Sequence, residues 1–234
     1  MIITTVAQVK KIHPLTDSII ELILAPDEYV DYQAGQYLQI VSNHQHLPYS
    51  IANAPLGSRT DELHIRHDPH NFSNKTLFAE IKKNAAVTLA LPFGECHLNR
   101  LDSNKPIIFI AGGTGFAPIK AMIEQLLANG DQRAIELYWG ARSQSDLYMN
   151  EKVKQWQAHI SHFHYFSMLS MGSNEERLVS MVMNQHPQDL QQYQVVINGP
   201  FDLVYQTRDA LIEQGMLQSN LLSDAFSFEK KGSS

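Results

Sequence analysis

Apolar and polar positions alternate in short runs along the first hundred residues. Ile20, Leu22 and Leu24 alternate with Ile19, Glu21 and Ile23, and Tyr37, Gln39 and Val41 with Leu38 and Ile40. Leu63 and Ile65 alternate with Glu62, His64 and Arg66, and Val87, Leu89 and Leu91 repeat the period. A period of two sends successive side chains to opposite faces of a sheet. With Pro, Gly, Asn and Asp between the runs, this half reads as an antiparallel β-barrel or sandwich. One helix is expected within it, Asn74 to Lys83, because Leu77, Phe78 and Ile81 recur at helical spacing.

The pattern changes after about residue 103. Pro106 to Ala111 is a continuous apolar run, as in a strand buried on both faces. A glycine turn follows, then a helix with Phe116, Ile119, Met122, Ile123, Leu126 and Leu127 on one stripe, Pro118 in its first turn and Gly130 at its end. Further strands are expected at Ala134–Gly140, near Phe163–Leu169 and at Val195–Asn198. Helices are expected near Leu147–His159, Glu175–Gln185 and Leu203–Glu213, before a last apolar segment, Leu221 to Phe228. Alternating strand and helix predicts a parallel α/β sheet with right-handed crossovers. Two architectures predict two domains, residues 1–101 and 102–234, with a polar tail from Glu229 to Ser234.

Composition narrows the class. An apolar fraction of 44% and a charged fraction of 18% suit a globular chain rather than a disordered one. The 24 acidic residues outnumber the 18 basic ones, which disfavours nucleic acid or an anionic membrane as partner. Cys96 is the single cysteine, so it forms no intramolecular disulfide and cannot supply the four thiolates of an iron–sulfur cluster. Met1–Pro14 alternates instead of forming an apolar block, unlike a signal peptide, and no apolar run approaches membrane-spanning length. The expected location is the cytoplasm. His162 with His164, and His44 with His46, each place two imidazoles on one side of an extended chain, but no third ligand stands at motif spacing. No metal is expected.

Gly112-Gly113-Thr114-Gly115-Phe116-Ala117-Pro118 lies between the first buried strand and its helix. Glycines let the backbone turn and approach a ligand, and amides at a helix start suit an anion such as a dinucleotide pyrophosphate. The alternative is a turn that serves only close packing. Leu47-Pro48-Tyr49-Ser50 offers a flat aromatic face beside a small hydroxyl. That pair suits stacking on a planar ring with a hydrogen bond to a ring heteroatom, although one core tyrosine and one satisfied serine explain the segment on its own. Arg142, in the loop after the second parallel strand, suits an adenosine 2′-phosphate or is simply an exposed loop residue.

Together, the Pro-Tyr-Ser of the barrel and the Gly-Gly-Thr-Gly-Phe-Ala-Pro of the α/β domain resemble the ferredoxin–NADP reductase superfamily. So do Tyr138-Trp139-Gly140-Ala141-Arg142, Asn198-Gly199-Pro200 and the ending Asp224-Ala225-Phe226-Ser227-Phe228. The chain is most similar to bacterial NAD(P)H:flavin oxidoreductases, the group of the luciferase-associated reductases. The resemblance implies that Pro48, Tyr49 and Ser50 hold the flavin, with Ser50 near N5, and that His64, Ile65 and Arg66 lie along its edge. It implies that Gly112, Gly113, Thr114, Gly115 and Phe116 line the path of NADH or NADPH, with Gly199 and Pro200 beside them. Asp224 and Phe226 would close the other side of the ring, near the nicotinamide.

One position departs from the family pattern. Relatives usually carry Arg two positions before the tyrosine, where it meets a flavin phosphate, and this chain has Leu47. Flavin held mainly by its ring and therefore exchangeable is the favoured consequence. Compensation by Arg66 or Lys75, or loss of flavin activity, are the others. The implied function is reduction of free riboflavin, FMN or FAD, which then passes electrons to oxygen, ferric complexes or a flavin-dependent oxygenase. A reductase that keeps FAD and serves a separate oxygenase or iron–sulfur protein is the second reading, and a non-catalytic flavin or nucleotide sensor the third.

Overall fold

The computed structural model describes residues 1–43, 45–68, 71–169 and 175–228. His44 and the expected tail from Glu229 lie outside them. The chain divides into two compact units: Met1–Leu98 together with Ala117–Gly130, and Asn99–Phe116 together with Asp131–Ser234.

The first unit is an antiparallel sheet of β1 (Ile3–Pro14), β2 (Ile19–Pro26), β3 (Tyr37–Ser42), β4 (Gln45–Ser50), β5 (Asp61–Arg66) and β6 (Ala86–Phe93), in the order β4-β3-β6-β1-β2-β5. An isolated bridge between Ile51 and Leu63 joins the chain just beyond β4 to β5, bringing the two ends of the sheet together. The alternation read from the sequence sets the inward face: Leu22, Leu24, Leu38, Ile40, Leu63, Ile65, Leu89 and Leu91 form one buried cluster with Leu77 and Ile81 of α1 (Phe72–Asn84). Helix α1 starts two residues earlier than its apolar spacing suggests, because the Asn71 side chain accepts from the Asn74 amide and caps it upstream. Helix α2 (Phe116–Ala128) packs from Ala117 onward with this unit.

The second unit is a parallel sheet of β7 (Ile107–Gly112), β8 (Ile135–Ala141), β9 (Phe163–Leu169), β10 (Gln194–Asn198) and β11 (Leu221–Leu222), ordered β11-β10-β7-β8-β9. Every side chain from Ile107 to Ala111 is fully buried, as a strand covered on both faces requires. Helices α3 (Asn150–His159), α4 (Glu175–Gln185) and α5 (Phe201–Glu213) supply the crossovers. Helix α3 starts later than the apolar pattern suggests, because Ser143 caps a short turn over Gln144–Asp146. The final apolar segment splits into β11 and a 3₁₀ turn, Asp224–Phe228. No helix among the described residues is long and apolar enough to cross a membrane.

Candidate active site

Strand β4 is an edge of the barrel sheet, paired among the described residues with β3, where Ser50 faces Tyr37, Tyr49 faces Leu38 and Pro48 faces Gln39. An edge is where proline is tolerated, since its missing N–H leaves no ladder bond broken. Tyr49 and Ser50 are half-buried while Pro48 is exposed. Among the described residues neither the Tyr49 phenol nor the Ser50 hydroxyl has a recorded hydrogen-bond partner. Tyr49 packs against the barrel core, and burial pushes its phenol up to about 12, so it stays protonated at neutral pH. The alternation that turns Tyr49 toward the core leaves Ser50 on the opposite face.

Leu47, on the same face as Tyr49, also packs against the barrel core. The two cations nearest to it in the family reading sit elsewhere: Arg66 is exposed at the end of β5, and Lys75 is exposed in the first turn of α1. Helix α1 gathers these parts. Its Asn74 amide donates to the Arg66 carbonyl at 2.9 Å, and its Ser73 hydroxyl donates to Gln45 Oε1 of β4 at 3.0 Å. His64 does not offer its ring to a ligand: the side chain is fully buried and its Nε2 lies 2.7 Å from Glu62 Oε1. Ile65 is likewise in the core, so from this pair only backbone remains for a flavin edge.

In the second unit the glycine segment, Gly140–Arg142 and Gly199–Pro200 meet at the carboxyl edge of adjacent strands β8, β7 and β10; Gly112 registers with Gly140, and Ala111 with Asn198. From β7 the chain builds outward through β8 and β9, then returns to the other side of β7 with β10. Such a reversal leaves a crevice at the strand ends where open α/β sheets bind ligands. The turn is tightly built. A β-carbon on Gly112 would stand 2.5 Å from Leu203 Cδ2 and 3.0 Å from Pro200 Cδ, and one on Gly115 would run into the Asn198 carbonyl. Gly113 takes a left-handed φ of 53°, and its carbonyl accepts from Trp139 Nε1 at 3.0 Å. Gly113–Gly115 form a 3₁₀ turn, so the forward amides belong to these residues and not to the first turn of α2. Phe116 is fully buried and stacks on Trp139 at 4.0 Å between ring centres. Its ring is therefore a core element, and a nucleotide can meet only its backbone.

Arg142 is exposed. Asp224 and Phe226 sit on the terminal 3₁₀ turn, half-buried, and that turn is docked on α5: Tyr205 donates to the Ala225 carbonyl at 2.8 Å, and the Arg208 guanidinium lies over both the Tyr205 and Phe226 rings.

Sequence reading missed a buried polar cluster beneath β5. Lys120 of α2 contacts Glu62, Glu124 and the Ala52 carbonyl. Burial works to raise the Glu62 carboxyl, but the hydrogen bond with His64 and the Lys120 charge overcome it and bring it down to about 2. Asp61, 1% exposed, has no hydrogen bond to either carboxylate oxygen among the described residues, and burial pushes it up to about 7. A signal for Lys120 existed: it stands on the apolar stripe of its helix, four residues after Phe116 and three before Ile123. No group of three or more potential metal ligands occurs among the described residues.

Residues 109–209 match the family model described as oxidoreductase NAD-binding domain. The chain is 32% identical over 213 residues to the CDP-6-deoxy-L-threo-D-glycero-4-hexulose-3-dehydrase reductase of Yersinia pestis, covering 89% of this chain and 64% of that protein. It is 33% identical to terephthalate 1,2-dioxygenase reductase component 1 of a Comamonas species, covering 92% and 66%. The chain thus spans just under two thirds of these relatives. It is 27% identical to the NAD(P)H-flavin reductase of Vibrio harveyi, covering 96% of this chain and 99% of that one. Among solved structures, a cytochrome P450 reductase from Amycolatopsis shares the fold with a TM-score of 0.82 at 21% identity, covering 95% of this chain and 69% of the other. A ferredoxin NADP⁺ reductase from Neisseria gonorrhoeae, solved with FAD and NADP, does so at 0.74 and 17%, covering 91% and 92%. Residues 109–209 thus match an oxidoreductase NAD-binding domain, and the antiparallel barrel followed by a parallel sheet has the fold of these solved reductases.

Proposed function

We propose that this chain is an NAD(P)H:flavin oxidoreductase acting on free flavin, with residues 1–101 holding the flavin and 102–234 the nicotinamide nucleotide. The observation that carries this reading is the edge strand β4, whose consecutive residues Tyr49, packed on the barrel core, and Ser50, on the opposite face, have neither polar group engaged elsewhere among the described residues. These residues fit a flavin, which needs a flat apolar surface and a donor at the edge of its ring. When bound, nicotinamide supplies a hydride and flavin N5 accepts it. Tyr49 backs the ring and excludes water from one side, and Ser50 donates to the N5 edge and orients it. Gly112 to Phe116 cradle the nucleotide through backbone amides, with Gly199 and Pro200 opposite them. Arg142 attracts a 2′-phosphate if NADPH is used. Asp224 and Phe226 cover the nicotinamide side of the ring.

Leu47 puts an apolar packing residue where a guanidinium would grip a phosphate, which favours riboflavin, FMN or FAD as an exchangeable substrate, with Arg66 and Lys75 as the residual phosphate contacts. The near end-to-end match to the Vibrio harveyi flavin reductase supports the same reading. The reduced flavin would then serve oxygen, ferric complexes or a flavin-dependent oxygenase. The buried Cys96, the single cysteine and so in no intramolecular disulfide, fits a reducing cytoplasm. The higher identity to two reductase components supports a second reading, a chain that retains FAD and passes electrons to a partner protein.

Oxidation of NADH and NADPH by the dialysed protein, with and without added riboflavin or FMN, tests the proposal. A colourless protein active only with added flavin is the expected result. A yellow protein whose flavin survives dialysis favours the second reading. No oxidation under any condition contradicts both.

A further inference from the structure

A lysine in the apolar stripe of a helix is costly to bury unless its charge is matched and its three donors are filled. Lys120 meets both conditions. Its side chain is 3% exposed, and its ammonium donates to the Ala52 carbonyl at 2.9 Å, to Glu62 Oε2 at 3.0 Å and to Glu124 Oε2 at 3.1 Å. The two carboxylates account for the charge, and the other Glu62 oxygen lies 2.7 Å from His64 Nε2. The third acceptor is not needed for charge, and its place in the chain is informative. Ala52 stands two residues beyond Ser50, where the chain leaves β3 for β5: the Ile51 amide donates to the Gln36 carbonyl at 3.1 Å, and the Ala52 amide to the Glu62 carbonyl at 2.7 Å. Ala52 is therefore tied through its N–H by the β5 backbone and through its carbonyl by Lys120. Ser50 itself ends a strand with a neighbour on one side only.

We infer that Lys120 is a positioning residue for the hydride-accepting edge of the flavin: by clamping the Ala52 carbonyl it fixes where β4 ends and so holds Ser50 in place, beyond neutralising Glu62 and Glu124. The inference rests on the flavin-reductase reading given above. A donor that drifts by about an ångström loses on the order of tenfold to a hundredfold in rate. That loss falls on the chemical step and not on ring binding, because Tyr49, which backs the ring, packs on the barrel core.

Two variants separate positioning from charge matching. Lys120→Arg keeps the positive charge between Glu62 and Glu124 but presents a planar fork, so the ion pairs persist while the tie to Ala52 is disturbed. Lys120→Met combined with Glu62→Gln and Glu124→Gln removes the tie together with the three charges that Lys120 joins, so if one variant does not fold the other decides. Anaerobic stopped-flow reduction of riboflavin by NADH gives the limiting transfer rate and the riboflavin Kd. The expected result is a limiting rate lowered about tenfold with a Kd within about threefold of the parent. A folded variant with a parental limiting rate, or with a loss confined to Kd, overturns the inference and leaves Lys120 a charge-matching residue. A parent that reduces no flavin overturns the flavin-reductase reading, and the inference with it. A parent that reduces flavin as fast as its variants overturns the inference alone.

Discussion

The edge strand of the barrel and the glycine turn of the parallel sheet present ligand-facing groups in opposite ways. Strand β4 offers side chains: Tyr49 and Ser50 carry polar groups with no recorded partner among the described residues, on a backbone held by β3. The turn after β7 offers backbone, and its residues are crowded: Gly112 and Gly115 have no space for a β-carbon, and the Phe116 ring is buried against Trp139. Ser50, unlike Leu47 and Tyr49 of the same strand, does not pack on the barrel core and can be changed with little disturbance of the fold, whereas a side chain added to the turn strikes the fold before it reaches any ligand. The contrast reflects the chemistry each site serves, since a ring edge is read by a placed donor and a pyrophosphate by converging amides.

The largest expected effect tests the crowded side of the comparison. Gly115→Ala drives a β-carbon into the Asn198 carbonyl, where backbone on both sides must move, and about 3–5 kcal/mol of stability should be lost. Thermal unfolding checks it, and a parental Tm would show that the turn is looser than its contacts imply.

Next comes Asp61, on the barrel side but inside it. Burial raises its carboxyl from 3.8 to about 7, so its stabilising, protonated form is fully present below about pH 4 and is lost as pH rises through about 7. Asp61→Asn should therefore remove a fall in stability between pH 4 and 7 and gain on the order of 2–4 kcal/mol at pH 8. Glu62 has the opposite sign: its contribution is present above its ordinary 4.5 and lost as pH falls toward about 2. Denaturant unfolding across pH separates the two, and an Asp61→Asn profile parallel to the parent's would show that Asp61 does not titrate in that window.

The smallest effect sharpens the role of the exposed cations at the end of β5 and the start of α1. If Arg66 compensates for Leu47, Arg66→Ala should reduce the preference for FMN over riboflavin by about threefold to tenfold, under about 1.4 kcal/mol, without changing the riboflavin Kd. Equal preference in both proteins would remove Arg66 from phosphate recognition.

Local pattern carried most of the architecture. The alternation from Ile19 to Leu91 names the inward face of the barrel, and the unbroken run at Ile107–Ala111 marks the central buried strand. Strand β4 was harder to see because Pro48 interrupts it, and proline is acceptable there only because the strand is an edge, a fact of topology. Phe116 shows a similar limit: its place in the glycine motif is visible in the sequence, but the side to which its ring turns depends on Trp139, over twenty residues away and on another strand. The Lys120, Glu62 and His64 cluster joins residues nearly sixty positions apart. Lys120 stands out within its helix, but its partners cannot be named without the pairing of β5 and α2.

The account depends most on Ser50, the one side chain asked to act at the reacting atom. Anaerobic single-turnover reduction of riboflavin by NADH, compared between the parent and Ser50→Ala, tests it directly. The expected result is a limiting rate lowered tenfold to a hundredfold, about 1.4–2.7 kcal/mol, with Tm unchanged. A Ser50→Ala protein that transfers hydride at the parental rate would contradict it.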